Sequence, residues 1–448
     1  MSIIDSIYHA GVVGCGGAGF PTHVKLKGQV EHLILNGAEC EPLLRTDRYL
    51  MINKAKEIVE AADLVAKELG AKDCTIALKA AYKKETAALE AAIAQTGAAV
   101  VLHKMDSFYP AGDEQVIVYE VTGRVVPPAG IPLDVGCVVS NVATMVCVYE
   151  ANLGIPFTYK YLTVTGKVAK PTVLRVPVGT SFERCIELAG GALEEQFFVV
   201  SGGPMMGAPI TMEQAQKEVV TKTTSGILVL PADSFLSMQD QIDLRHTMNR
   251  ARSACIQCSF CTDLCPRYLL GHPLQPHRIM RKLAMSPDLS SMLDDDDVRQ
   301  AQICCECGIC ELYACPMGLQ PRKVNALLKA EYGKAGIRYQ RQGEEWQASP
   351  ERSGRQIPTR RAAARVGVLE WYDTNIETLT EDTPAHIELP LKMHIGAPAH
   401  PVVAAGESVT AGQLVAACPQ GKLGANIHTG IAGVVVSIDG RIVIEGGK

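Results

Sequence analysis

Over the first 155 residues, short apolar runs alternate with longer amphipathic stretches. His32–Leu35, Thr75–Leu78 and Val100–His103 predict strands. Asp47–Leu69 and Tyr82–Gln95, rich in Ala, Glu, Lys and Leu, predict helices. That alternation predicts a layered α/β domain over residues 1–155. The texture then changes. Tyr161–Val164 and Val173–Val176 alternate like strands around a turn-prone Gly166–Pro171, a helix is expected at Ser181–Ala189 with Ser181 as N-cap, and Phe197–Val200 predicts a further strand. Residues 156–235 are therefore expected to form a small α+β module. Residues 240–333 carry most of the cysteines, and residues 334–388, with arginines on one side and acids near Glu377–Asp382 on the other, predict a linker or extended surface segment. Residues 389–448 show short β-branched runs broken by glycine and predict a small all-β module. The fold class expected is multidomain, α/β and α+β.

Composition narrows the function. The chain has 448 residues, long enough for several cores, and a formal net charge of −5 that gives no case for nucleic-acid binding. The N-terminus has neither a basic region nor a long apolar stretch, so no signal peptide is expected. The longest uncharged stretch, Val135–Tyr149, is too short and too polar to span a bilayer. A cytoplasmic, reducing setting follows as the expectation, in which clustered cysteines act as metal ligands rather than disulfides.

Of 16 cysteines, nine fall between Cys255 and Cys315. Cys255-x2-Cys258-x2-Cys261-x3-Cys265-Pro266 is the bacterial ferredoxin run, and Cys304-x2-Cys307-x2-Cys310-x4-Cys315-Pro316 repeats it with one extra residue in the last gap. Three thiolates two residues apart wrap one face of a cubane, and the fourth, before proline, reaches the other cluster. Cys255, Cys258, Cys261 and Cys315 are therefore expected to hold one [4Fe–4S] cluster, and Cys265, Cys304, Cys307 and Cys310 the other. Structural zinc would prefer two CxxC pairs. Cys305 is left over, as a small buried residue, and the Asp294–Asp297 run between the motifs predicts a solvated loop.

Near the N-terminus, Gly14-Cys-Gly16-Gly17-Ala-Gly19 matches GxGxxG, with Glu39 about twenty residues on. A dinucleotide-binding turn does not fit, because only Val12 and Val13 are available as the preceding strand and Phe20-Pro21 follows where a helix should run. The loop is better taken as a longer anion-binding unit, Gly14–Lys25. Its glycines let backbone N–H groups approach a phosphate, Lys25 supplies a cation, and Phe20 offers a flat face.

These residues carry a family likeness. Gly16-Gly17-Ala-Gly-Phe20-Pro21-Thr22…Lys25 resembles the FMN loop of the NADH-binding flavoprotein subunit of respiratory complex I. Asn36-Gly-Ala-Glu39-Cys-Glu41-Pro42, Tyr109-Pro-Ala-Gly112-Asp113-Glu114 and Ser140-Asn141-Val-Ala-Thr144 resemble its next three flavin-contacting segments, in order. The resemblance implies a Rossmann-like domain that binds FMN and NADH. Lys25 would lie near the FMN phosphate, Asn36, Glu39 and Glu41 along the flavin–nucleotide pocket, and Asn141 and Thr144 at its far side. Tyr161–Pro209, with its Ser201-Gly-Gly-Pro-Met-Met-Gly turn, resembles the soluble-ligand-binding β-grasp (SLBB) domain that follows in this family. The paired ferredoxin motifs are similar to RnfC, a component of the membrane-bound Rnf electron-transfer complex, and exclude the complex I subunit, which has one cluster.

The C-terminal segments Gly406–Leu414 and His428–Val435 look like the halves of a barrel-sandwich hybrid. With no lysine in the usual hairpin motif (Lys422 sits in a glycine-rich loop), a carrier role is not expected. In RnfC this module comes first, whereas here it comes last. That order, and the Cys304–Leu319 segment, resemble the cobalamin reductases of propanediol-utilisation microcompartments. The resemblance implies NADH-dependent reduction of cobalamin for a B12-dependent diol dehydratase, inside a bacterial microcompartment, with a shell protein or an adenosyltransferase as further partners. The alternatives are an Rnf-like electron-transfer subunit and an electron relay docked to a shell protein. No general acid or base, corrinoid site or oligomeric state can be assigned from the sequence.

Overall fold

The computed structural model describes residues 2–343 and 345–446. The N-terminal sheet is built from β1 (His32–Gly37), β2 (Asp73–Lys79), β3 (Val100–Met105) and, beyond a short β4 (Phe108–Tyr109), β5 (Cys137–Asn141). The order is β3-β2-β1-β5, all parallel. Leu33, Ile34 and Leu35 are fully buried, as a strand covered on both faces requires. One face packs on the helices Ala55–Glu68 and Val142–Asn152, the other on Glu114–Thr122. The expected helix Asp47–Leu69 is two, Thr46–Asn53 and Ala55–Glu68, broken at Lys54.

The topology fixes where a ligand can sit. The chain leaves β1 for β2 and β3 on one side and returns to β5 on the other, so the crevice opens at the carboxyl ends of β1 and β5. Asn36 and Asn141, near the ends of those strands, face one another in register.

β6 (Tyr159–Gly166), β7 (Thr172–Pro177), β8 (Phe197–Ser201), β9 (Ala208–Ile210) and β10 (Gly226–Pro231) form the second sheet, around the helix Phe182–Leu188. Ser181 caps that helix, accepting from the Arg184 N–H.

Residues 334–388 differ from the expected linker. β11 (Ile357–Pro358) pairs with β4, and β12 (Leu379–Glu381) extends the second sheet beside β7. Between them, the helix Thr359–Arg365 buries Ala362 and Ala363 in a core shared with Leu44, Tyr109, Ile309 and Leu312. The segment ties three modules together. Arg341, Arg352, Arg355 and Arg360 engage in ion pairs, the last with Asp373 at the surface, which is why the stretch has a surface-like composition. The Asp294–Asp297 run is likewise structured: Asp295 caps a helical turn and pairs with Lys282 (2.6 Å).

The C-terminal module is two small sheets, β13 (His386–Pro390), β19 (Arg441–Glu445), β18 (Gly433–Ile438) and β15 (Ser408–Val409) in one, and β14 (His400–Pro401), β16 (Leu414–Ala417) and β17 (Ile427–His428) in the other. It packs on the glycine loop, where the Ile395 N–H donates to the Gly19 carbonyl. No helix among the described residues is long and apolar enough to cross a membrane.

Candidate flavin and iron–sulphur sites

The glycine loop is a closed turn rather than a strand-to-helix crossover. Val13 bridges Pro21, and the Gly14 N–H donates to the Phe20 carbonyl. Gly16, Gly17 and Ala18 are exposed at its tip, with open space above Gly17. Beneath the loop, the Cys15 N–H donates to Thr144 Oγ1 (3.0 Å), and a Cβ on Gly16 would lie 2.8 Å from Asn141 Nδ2. Asn141 caps its helix by accepting from the Ala143 N–H and donates to Asp47 (2.8 Å). Asn36 Nδ2 donates to the Gly112 carbonyl (2.8 Å), and a Cβ on Gly112 would crowd that amide at 3.1 Å. Lys25 pairs with Glu114. The structure thus gathers Gly14, Gly16, Gly17, Gly19, Lys25, Asn36, Gly112, Glu114, Asn141 and Thr144 around the switch-point crevice. Phe20 stands at its edge, exposed. Bare glycines backed by amide side chains make a cradle that FMN fits, with the loop N–H groups and Lys25 available to its phosphate.

Glu39 and Glu41 lie deeper, in the segment after β1. Glu39 accepts from the Asp47 N–H (2.7 Å), and burial beside Asp47 pushes its carboxyl up to about 8. Glu41 is pushed up to about 7 by burial, although it accepts from the Met205 and Met206 N–H groups (both 2.9 Å). Both carboxyls keep protons in the folded chain over a range where the unfolded chain, with an ordinary value of 4.5, has released them. Their contribution to stability is therefore complete below pH 4.5 and is lost as pH rises towards 8. Flavin-free Glu39→Gln is expected to remove one such group, flattening the fall in stability by up to about 1.4 kcal/mol per pH unit. Urea midpoints from about pH 5 to about pH 8 check this, and parallel slopes in variant and parent would contradict it.

On the far side of Glu39 a cleft of about 1410 Å³ opens, lined by Glu39, Arg45, Arg48, Lys79, Tyr82 and Tyr372 among others. Lys79 is buried, donates to the Glu39 carbonyl (3.2 Å), and is pulled down to about 8 by desolvation. Arg48 stacks over the Tyr82 ring at 4.4 Å. No motif in the sequence marks these residues. Lys79 ends an apolar strand run, and only the sheet brings it beside Glu39.

The cysteines line two compact cavities. Cys255, Cys258, Cys261 and Cys315 line one of about 370 Å³. Cys265, Cys304, Cys307 and Cys310 line another of about 290 Å³, with Cys305. The two loops have one backbone shape. Gln257 and Glu306 both take left-handed φ (55° and 58°), as do Ser259 and Gly308 (62° and 81°). Three of these four residues are not glycine, so strain is held at both loops. By this correspondence Cys304 matches Cys255, and Cys305 falls where Ile256 stands. The extra residue of the second motif is absorbed by a π-helical turn, Ile309–Tyr313, where the first motif has the α-helical turn Phe260–Asp263. Asn325, fully buried, lines the second cavity with both side-chain polar atoms unpartnered, and so has a donor free for a cluster sulfur. Among the described residues no three Cys, His, Asp or Glu close to single-ion spacing. A four-iron core spreads its thiolates wider than one ion does, and the residues present fit the cubane.

The flavin segment touches the second cysteine loop directly. Tyr109 Oη, buried, donates to the Cys307 carbonyl (2.7 Å). Asp113, which caps the helix after Gly112, is gripped by two Arg267 nitrogens (2.6 and 2.9 Å), and the Arg267 guanidinium holds its carboxyl below the usual range against burial. Arg267 follows Cys265-Pro266. Arg267→Leu, which strands the buried Asp113, is expected to cost about 3–5 kcal/mol. Urea unfolding measures this, and a loss within about 1 kcal/mol of zero would mean the pair carries little.

Comparison with known proteins bears on the same segments. Residues 7–150 match the Nuo51 FMN-binding domain, 161–209 the SLBB domain, 254–320 the 4Fe-4S dicluster domain and 372–448 the RnfC barrel sandwich hybrid domain. The cobalamin reductase PduS of Salmonella typhimurium is 40% identical over 444 residues, covering 98% of this chain and 95% of that protein. The chain belongs to the PduS cobalamin reductase family. PduS of Citrobacter freundii is also 40% identical, over 442 residues. The RnfC-type component of the Na(+)-translocating ferredoxin:NAD(+) oxidoreductase complex of Acetobacterium woodii is 35% identical over 60% of this chain and 58% of that protein. An NAD+-reducing [NiFe]-hydrogenase crystal structure shares the fold, with a TM-score of 0.50 at 20% identity, over 77% of this chain and 63% of that one. This chain is a flavin and iron–sulphur electron-transfer oxidoreductase of that family.

Proposed function

We propose that the chain oxidises NADH and passes the electrons to cobalamin, reducing cob(III)- and cob(II)alamin towards cob(I)alamin for a B12-dependent diol dehydratase inside a bacterial microcompartment. Full-length likeness to PduS carries this reading. The hydrogen bond from Tyr109 to the Cys307 carbonyl supports a direct route between flavin and cluster. Bound FMN supplies the conversion of a two-electron donor into single electrons, and the clusters relay them.

The residues have separate tasks. The N–H groups of Gly16–Gly19 and Lys25 bind the FMN phosphate, Gly14 and Cys15 hold the turn closed through their own N–H groups, and Asn36, Gly112, Glu114, Asn141 and Thr144 shape the walls around the ring. Glu39, pushed up to about 8, stays largely protonated near neutral pH and Glu41, pushed up to about 7, stays about half protonated, which limits the negative charge beside a flavin being reduced. The cleft beside Glu39, where Arg45, Arg48, Lys79 and Lys84 stand among carboxyl groups, receives the nicotinamide dinucleotide. The eight cysteines of the paired motifs ligate the two [4Fe–4S] clusters.

Steady-state assay of anaerobic, reconstituted protein with NADH and hydroxocobalamin tests the reading. Loss of the cob(III)alamin bands, dependent on enzyme and FMN, is expected, with two cob(II)alamin formed per NADH. Bleaching of flavin and clusters with no change in cobalamin would point to a protein acceptor. One observation favours that second reading, an Rnf-like subunit or a relay docked to a shell protein: Ile256 and Phe260, in the first cysteine loop, are 62% and 51% exposed.

A further inference from the structure

A second large cleft, of about 1000 Å³, shares no lining residue with the cleft beside Glu39. Glu41 lines the first cleft and, through the Met205 and Met206 N–H groups, pins the turn that walls the second. None of the glycine-loop or crevice residues lines it. Its wall is instead shared with the second cysteine cavity, because Glu306 and Arg322 line both. Glu306 sits between Cys305 and Cys307. Gly308 of the same loop packs so closely on the turn that a Cβ there would lie 2.9 Å from the Met205 carbonyl oxygen.

The lining has a distinct chemistry. Met206, Pro209, Leu236 and Leu312 supply apolar surface, Gln239 and Asp240 supply hydrogen-bonding groups, and the Arg322–Glu311 pair, Glu306 and Lys323 add charge at the cysteine-cavity side and rim. Met206 is 51% exposed although apolar. A corrinoid presents this pattern in reverse, as a broad apolar macrocycle ringed by amide arms that both donate and accept. The cleft beside Glu39, where Arg45, Arg48, Lys79 and Lys84 stand among five carboxyl groups, is the more polar of the two and suits a dinucleotide instead. Ligand sites combine apolar area with a few polar groups in this way.

We infer that the cleft between the Pro204–Gly207 turn and the Glu306–Leu312 segment is the corrinoid site, beside the cysteine cavity of Cys265, Cys304, Cys307 and Cys310. The inference rests on the cobalamin reading above. Electrons then cross only the wall formed by Glu306 and Arg322. For each NADH, the nicotinamide C4–H bond breaks, NAD+ and one proton are released, and two aquocobalamin molecules each gain one electron, becoming cob(II)alamin and losing their upper water.

The test is equilibrium dialysis of anaerobic holoprotein against hydroxocobalamin, with flavin and iron content measured in parallel. Met206→Arg, which puts a charge on the apolar surface, and Asp240→Trp, which fills space from an exposed rim position, are each expected to raise Kd at least tenfold. Flavin and iron content should stay equal to the parent, and the KM for cobalamin should rise in step. Met238→Arg, exposed but outside the cleft, should leave Kd unchanged. Parent-like Kd in both cleft variants, with the parent reducing cobalamin, would overturn this site. A parent that neither binds nor reduces cobalamin would overturn the cobalamin reading itself.

Discussion

Cys307→Ser is expected to remove one cluster and stop electron delivery while sparing flavin. Cys307 lines the second cavity, and its carbonyl receives the Tyr109 hydroxyl. Iron should fall from roughly eight to roughly four atoms per chain. NADH should still bleach the flavin. Cobalamin reduction should drop by at least about 100-fold, or about 2.7 kcal/mol of barrier. Cys305→Ser is the internal control. Cys305 lines the same cavity but occupies the position of Ile256 in the first loop, so its loss should leave the iron content near roughly eight. Iron analysis and anaerobic spectra decide between them. Equal losses in both variants would mean that the two loops do not correspond residue for residue and that Cys305 is also a ligand.

Gly16→Val is expected to give protein that purifies without flavin. A Cβ at that position already lies 2.8 Å from Asn141 Nδ2, and a branched side chain adds bulk where the loop must approach a phosphate. Asn141 cannot yield freely, since it caps its helix and donates to Asp47. FMN affinity should fall at least about 100-fold, equivalent to about 2.7 kcal/mol. Flavin fluorescence titration reads this directly. Gly17→Ala meets open space and should bind FMN nearly as well as the parent. A Gly16→Val protein that retains FMN would show that the ligand is not seated on this loop.

Much of the fold was legible because it rests on local signals. The strands at 32–37, 73–79 and 100–105 follow continuous apolar runs, and Ser181 caps as its position suggested. The cysteine grouping was legible from ferredoxin spacing, and the one irregular gap becomes a π-helical turn. What was illegible depends on distant contacts. Tyr109 meets Cys307 across 198 residues, and Arg267 meets Asp113 across 154. Neither pairing leaves a trace in local pattern. Residues 334–388 misled for a related reason: their few buried apolar positions, among them Ile357, Ala362, Ala363, Val366 and Val368, are scattered among charged residues that stay at the surface. The second cleft escaped because its walls come from separate modules.

Electrons are expected to pass from NADH to flavin, then to the cavity of Cys265, Cys304, Cys307 and Cys310, and from there to cobalamin. Anaerobic stopped-flow mixing of reconstituted protein with NADH and hydroxocobalamin follows that order, in the parent and in Cys307→Ser. In the parent, flavin and cluster should bleach before cob(II)alamin appears. In the variant, flavin should bleach with almost no cob(II)alamin formed. Cob(II)alamin forming at the parent rate in Cys307→Ser would contradict this order, by showing that cobalamin takes its electrons from the flavin without that cluster.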